Sequence, residues 1–351
     1  MPNPYRNRGP IRRLEDFFGR QRDLAEIRAT IAQGTWVSLV GERRVGKSSI
    51  LNALRFEPEA IETGGQGDPC FVFVDCQYLA GATEEQVIQF LLDRLQLELD
   101  ESPLPPQRAS LGRAVQEILG GAPPRRPILL LDEVDVLAHS QTIPQDFFGF
   151  LRAWSQTFQI PLVTASKESS IESLVWNEKV GSPFWNIFKP LYVGPFTVDE
   201  ALQVVRVPSR SQSVEFSTDE VDHVLAVAGY QPFFLQIACD YLFQAKVEGA
   251  EGAAALERLE LGFRQEAAPH LDYLLRGLPE AERRGLADFV ASQTVPEGRV
   301  RSQLLRKGVL VEDARGLRVF SRPLADRIRE QAQLEPSTAT LFDRVKARFL
   351  E

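Results

Sequence analysis

Gly41-Glu42-Arg43-Arg44-Val45-Gly46-Lys47-Ser48 fits the pattern G-x-x-x-x-G-K-[ST] at every position. It follows an apolar run, Trp36-Val37-Ser38-Leu39-Val40, and precedes a helical pattern, Ser49-Ile50-Leu51-Asn52-Ala53-Leu54. A strand, a glycine-bounded loop and a helix start aim several backbone N–H groups at one point. The positive end of the helix dipole adds to the attraction for a polyphosphate there. The spacing assigns Lys47 to the β- and γ-phosphates and the Ser48 hydroxyl to Mg²⁺.

A second motif lies downstream. Ile128-Leu129-Leu130-Leu131-Asp132-Glu133 is an apolar run that ends in two carboxylates, preceded by the loop Gly120-Gly121-Ala122-Pro123-Pro124. A continuous apolar run of this length suits a strand buried on both faces of a parallel sheet. Asp132 at its end is expected to hold Mg²⁺ through water, and Glu133 to polarise the attacking water as general base. Read alone, the run is a buried strand entering a solvated acidic turn. Paired with the phosphate loop, it makes a nucleoside-triphosphate site in which Glu133, Lys47 and Asp132 carry the chemistry.

Composition sets outer bounds. A chain of 351 residues is expected to hold two or three domains. Its hydrophobic fraction of 44% and charged fraction of 25% are those of an ordinary globular protein. No run of apolar residues reaches membrane-spanning length, and Met1-Pro2-Asn3-Pro4-Tyr5-Arg6 lacks the apolar core of a signal peptide, so a cytoplasmic protein is expected. Cys70, Cys76 and Cys239 sit in apolar surroundings as reduced core thiols, and His139, His223 and His270 are too scattered for a zinc site. The net charge of −8 argues against a broad nucleic-acid surface.

Five regions separate along the chain. Residues 1–16 read as an extended basic arm, with a loosely packed surface arm favoured over a nucleic-acid or partner tail at Arg6, Arg8, Arg12 and Arg13. Residues 17–195 alternate helices with apolar strands at Trp36–Val40, Cys70–Asp75, Ile128–Leu131 and Ile160–Thr164, with Leu191–Val193 as a fifth candidate. Helical patterns at Glu84–Leu99 and Leu111–Leu119 lie between them. That is the signature of a doubly wound α/β domain with a parallel sheet. Residues 196–268 are wholly helical, with breaks near Pro208 and Gly229. Residues 269–335 add helices followed by a hairpin pattern, Gly308 to Phe320, which together suggest a winged helix. Residues 336–351 form a C-terminal segment with a short amphipathic helix at Leu341–Leu350.

Several segments together resemble the STAND NTPases, AAA+-like P-loop ATPases, in particular the branch that includes the archaeal ATPases. Phe17-Phe18-Gly19-Arg20, followed by Asp23-Leu24, is similar to the entry motif that folds over the base of the nucleotide. Arg43-Arg44 is the pair common in that branch's phosphate loop, which runs on to Ser49. Pro161-Leu162-Val163-Thr164-Ala165-Ser166 is similar to the strand ending in the sensor-1 polar residue. Ser182 to Phe188 and Leu191 to Phe196 match the approach to a helical lid, and Ala228-Gly229-Tyr230-Gln231-Pro232 looks like the lid's Gly-x-Pro motif, whose proline packs near adenine.

The resemblance implies that ATP or ADP, with Mg²⁺ on Ser48 and Asp132, sits against Phe18, Gly19, Arg20, Gly41 to Ser49, Thr164, Ser166 and Pro232. It implies a slow ATPase that works as a switch through conformational change or self-oligomerisation on ATP binding, with a protein partner or effector in trans, in bacterial regulation or defence. Two departures refine it. No arginine matches the sensor-2 position of AAA+ motors, and Arg152 and Arg210 are candidate arginine fingers by position only. No Asn-Lys-x-Asp guanine signature appears, which favours adenine. The alternative is a DNA-associated AAA+ ATPase of the origin-recognition or loader type. Arg299, Gln303 and Arg306 would share the groove-facing side of a helix in that reading, although a solvated or carboxylate-paired face is favoured. Trp154, Trp176 and Trp185 read as core or lid anchors.

Overall fold

The computed structural model describes residues 2–61, 67–96, 104–144, 146–167, 184, 187–313 and 316–334. The chain divides into two compact units. One is an α/β unit, Gly9–Gly194; the other joins the residues up to Arg8 to those from Pro195 onward.

The α/β unit runs α1 (Gln21–Ala32), β1 (Trp36–Val40), α2 (Lys47–Phe56), β2 (Asp68–Asp75), α3 (Glu84–Gln96), α4 (Arg108–Gly120), β3 (Arg125–Asp132), α5 (Asp135–Ala138), α6 (Phe147–Thr157), β4 (Leu162–Ser166) and β5 (Phe188–Tyr192). The five strands are parallel in the order β2-β3-β4-β1-β5. Period-2 alternation splits each strand between two cores. Ile128 and Leu130 join Val37, Leu39 and Val163 beneath α1 and α2, whereas Leu129 and Leu131 join Val72, Val74 and Leu162 beneath α3, α4 and α6. β3 is buried at every position after Arg125, as a central strand covered on both faces must be. The fifth strand lies at Phe188–Tyr192, earlier than the sequence places it, because its ladder to β1 runs from Trp36↔Phe188 to Val40↔Tyr192.

The helical unit comprises α7 (Val198–Ser211), α8 (Thr218–Ala228), α9 (Pro232–Val247), α10 (Gly252–Gly277), α11 (Glu280–Ser292), α12 (Gly298–Arg306), β6 (Leu310–Asp313), β7 (Gly316–Val319) and α13 (Arg322–Leu334). Capping boxes, Thr197 with Glu200 and Ser217 with Glu220, start α7 and α8 by satisfying N–H groups that have no intrahelical partner. α9 and α10 lie along each other with α7 and α8 against them. α11, α12 and α13 pack with the antiparallel β6–β7 hairpin. The turn after α8 fastens onto that hairpin. Tyr230 Oη donates to Asp313 Oδ2 at 2.9 Å, and Gln231 Nε2 donates to the Lys307 carbonyl at 3.1 Å. Lys307 itself forms a buried ion pair with Glu282 at 2.8 Å.

Two expectations change here. The helix does not break at Pro208, which lies inside α7. The N-terminal segment is not a loosely packed arm either. Tyr5 is fully buried in the helical unit, between the rings of Phe216 and Phe243. One fact accounts for both. Proline cannot donate to the helix ladder and disturbs the turn before it. The Tyr5 hydroxyl enters the opened turn, donating to the Val205 carbonyl and accepting from the Ser209 N–H at 3.0 Å, in place of the bond those two groups would make with each other. Arg8 is spent on Asp240 and Glu266, each at 2.6 Å.

Tyr5→Ala is expected to destabilise the protein by about 3–5 kcal/mol, the range for deleting a buried aromatic. Tyr5→Phe is expected to cost about 1–2 kcal/mol, for the hydroxyl alone. Urea unfolding by circular dichroism checks both, and an unchanged midpoint in Tyr5→Ala overturns the packing role. The expected C-terminal helix at Leu341–Leu350, together with Trp176 and Trp185, lies outside the described residues. No helix among the described residues is long and apolar enough to cross a membrane.

Candidate functional site

The C-terminal edge of the sheet gathers most of the residues singled out by motif. The loop after β1 must pass close to the end of β5, where Val193 N–H donates to the Val40 carbonyl at 2.8 Å. A side chain at Gly41 would place its Cβ 2.3 Å from the Val193 carbonyl oxygen, so only glycine fits. Gly46, at φ +103°, turns the chain into α2, and Arg44 also takes a left-handed conformation at φ +66°. Arg43 and Arg44 are exposed on the outside of the loop, and Glu42 is half-buried.

Lys47 opens α2 with only 8% of its surface exposed. Its ammonium donates to the carbonyls of Gly41 at 2.7 Å and Glu42 at 2.9 Å. Burial pushes its pKa down, opposed by the charges of Asp132, Glu42, Glu133 and Asp135. Ser48 meets Asp132 directly through a side-chain hydrogen bond. Burial drives the Asp132 carboxyl up to about 6; the Ser48 bond opposes this, and the neighbouring Glu133 and Asp75 reinforce it.

Glu133 follows in a left-handed turn at φ +48°, its N–H donating to Asp132 Oδ1 at 3.0 Å. Strain of that kind at a non-glycine residue marks a side chain held in a set direction. Its Oε2 accepts a hydrogen bond from Gln77 Nε2. Gln77 carries no motif, and sequence reasoning passed over it. It reaches Glu133 because β2 pairs with β3 in a register that sets Asp75 beside Asp132. Asp75 Oδ1 then accepts from the Gln77 N–H at 3.0 Å and fixes the turn.

Ser166 ends β4 beside Val40, and its carbonyl accepts from the Gly41 N–H at 3.3 Å. Its hydroxyl is buried and has no hydrogen-bond partner among the described residues. Thr164, two residues earlier, is engaged inside the sheet, where it bonds Ser38 Oγ at 3.0 Å. Gly19 and Arg20, both at positive φ, precede α1. The buried Arg20 guanidinium donates to the carbonyls of Val45 and Gly194, bracing the phosphate loop from behind, while Phe18 is half-buried. Ser49 faces the chain before α1 and accepts from the Ile11 N–H at 3.3 Å. Pro232, in the helical unit, is the first residue of α9, and its neighbours Tyr230 and Gln231 hold the hairpin. Arg306 is half-buried and donates to Gln303 within its own helix at 2.7 Å, while Arg299 is exposed.

The donor set fits a magnesium–polyphosphate group. Among the described residues, an ammonium bonded to its own loop's carbonyls, a carboxylate whose ionisation burial opposes, and a hydroxyl without a partner all lie on one sheet edge. Each would gain from a ligand with phosphate oxygens and a divalent cation.

A family model described as Novel STAND NTPase 2 matches residues 114–295. A second, described as an AAA domain, matches residues 31–174. Comparison with curated proteins finds no match. Among solved structures, the chain is similar to the Walker-type ATPase of Pyrococcus abyssi, with 18% identity over 93% of this chain and 99% of that one, at a TM-score of 0.61. It is also similar to the Aeropyrum pernix ORC2 protein, with 13% identity over 90% and 94% at a TM-score of 0.57. The ORC1 protein of the same organism, solved in complex with DNA, has 14% identity over 93% and 94% at a TM-score of 0.51. At such identities the likeness shows a shared P-loop ATPase fold.

Proposed function

The chain belongs to the Novel STAND NTPase 2 family, and from that premise we propose that it is an ATP-binding, slowly hydrolysing switch that signals to a protein partner. The observation that carries this reading is the meeting of Lys47, Ser48, Asp132, Glu133 and Ser166 on one edge of the sheet. When bound, Mg²⁺ held by Ser48 and Asp132 would neutralise phosphate oxygens and polarise the γ-phosphoryl group.

The chain's own groups do the rest. Backbone N–H groups of the loop and the Lys47 ammonium bind and orient the phosphates. The Ser166 hydroxyl, without a partner among the described residues, donates to a terminal phosphate oxygen. Glu133 accepts the proton of the attacking water at a carboxylate oxygen. Gln77 already occupies Oε2 of that base, which supports slow turnover and a requirement for rearrangement before cleavage. Moving a two-state population from mostly one form to mostly the other takes roughly 5 kcal/mol of differential binding. The γ-phosphate contacts therefore need a partner's contribution, in effector recruitment or self-association.

We read residues 196–268 as a helical lid and residues 269–335, with their hairpin, as a winged helix, the boundary between them falling inside α10. The alternative function, a DNA-associated ATPase of origin-recognition or loader type, rests on that winged helix. It is weakened by the commitment of Arg306 to Gln303, and of Arg301 to Glu312 at 2.8 Å.

Denaturing freshly purified protein and identifying the released nucleotide by chromatography tests the switch. Near-stoichiometric ADP is expected, because a regulated exchange step keeps product bound. An empty site that turns over ATP faster on duplex DNA would replace this reading with the alternative.

A further inference from the structure

The opposite, N-terminal edge of the same sheet holds a cavity of about 600 Å³. It arises because β4 begins late. β3 starts at Arg125, but its ladder to β4 starts only at Leu129, so the turn between α6 and β4 borders the space beside Arg126. Thr35, Gln156 and Gln159 form an exposed rim, Trp36 and Ile187 an apolar wall, and Arg126 the buried floor.

Arg126 is 6% exposed, and among the described residues no hydrogen bond or ion pair engages its guanidinium. Burial alone acts on its ionisation, pushing the pKa down. The other buried cations among the described residues are compensated: Lys47 and Arg20 by backbone carbonyls, and Lys307 by Glu282. A buried charge without a counter-group is costly to fold around, so it marks a place where a ligand supplies the missing charge.

We propose that this cavity is a second ligand site and that it takes a small organic anion, a carboxylate or a phosphate monoester. The guanidinium fork holds the anionic group bidentately, as its planar geometry favours. The amides of Gln156 and Gln159 and the hydroxyl of Thr35 surround the polar body, and Trp36 and Ile187 pack its apolar part. The volume falls within the span of roughly 300–1,000 Å³ usual for small-molecule sites. Arg126 and Asp132 lie near opposite ends of β3, about 20 Å apart at strand rise, so the two sites do not share ligand contacts.

The test uses the full chain with ADP and Mg²⁺ saturating the phosphate loop. Thermal unfolding is followed while inorganic phosphate or citrate is titrated against chloride at matched ionic strength. A saturable rise in Tm of about 3 °C at roughly ten times the dissociation constant is expected. The rise should shrink in Arg126→Lys and vanish in Arg126→Met. Should Arg126→Met fold poorly, Gln159→Glu, an exposed change that sets a carboxylate at the rim, is expected to remove it as well. An equal rise in these variants, or none in the parent chain with either probe, overturns the proposal.

Discussion

Lys47→Ala loses nucleotide affinity by at least about 30-fold and up to a few thousand-fold, the equivalent of the roughly 2–5 kcal/mol that truncating a buried, hydrogen-bonded charge costs a complex. The effect is large because of what surrounds the ammonium. Asp132, Glu133, Glu42 and Asp135 all act on Lys47, so its removal leaves carboxylates facing the incoming phosphates. The site would change from attracting a polyanion to repelling it. Lys47 is also buried, with 8% of its surface exposed, which leaves solvent little room to replace it. Titration calorimetry with ADP and with ATP, each with Mg²⁺, measures the loss, and thermal unfolding of the nucleotide-free variant checks that the fold survives. Ordinary affinity for both nucleotides would sink the site assignment.

The second large effect separates binding from cleavage. Glu133→Gln is expected to bind ATP normally and to release phosphate about 10²–10⁴-fold more slowly, the range for losing a positioned general base. The substitution keeps size and shape, and the amide oxygen can still accept from Gln77, so the turn at φ +48° has no new reason to move. Only the capacity to take the proton of water is lost. Single-turnover phosphate release against nucleotide binding reads the two quantities separately. Release at the parent rate would assign the base elsewhere.

The sheet was legible because its signals are local. Trp36 to Val40 and the run ending at Asp132 are apolar stretches of strand length bounded by turns, and the structure has strands at both. The phosphate loop was legible because a glycine is forced at each end, by the Val193 carbonyl at Gly41 and by the backbone angle at Gly46. What escaped is set by register or by distant partners. Gln77 acquires its place only when β2 lies beside β3, and no spacing along the chain announces that pairing. Thr164 and Ser166 share a strand face and look interchangeable in sequence, yet only Thr164 finds a hydroxyl across the ladder in Ser38. Nothing along the chain marks Arg126, because a missing counter-ion is a property of its surroundings. Tyr5 was hidden by four arginines around it, and its value appears only with a turn some two hundred residues later.

That last separation governs the order in which the protein can be made. The α/β unit is inserted into the helical unit as a continuous piece, so the helical unit is interrupted near its beginning. Tyr5 leaves the ribosome long before Val205 and Ser209 exist to receive its hydroxyl. Meanwhile the α/β unit can close over contacts confined to Gly9–Gly194. The helical unit must wait for its own first residues to return across a loop of that whole length, a slow, high-contact-order step. Completion of α7 is therefore a checkpoint late in biogenesis: until the amino terminus has docked, the turn before Pro208 lacks the hydroxyl that bridges its backbone.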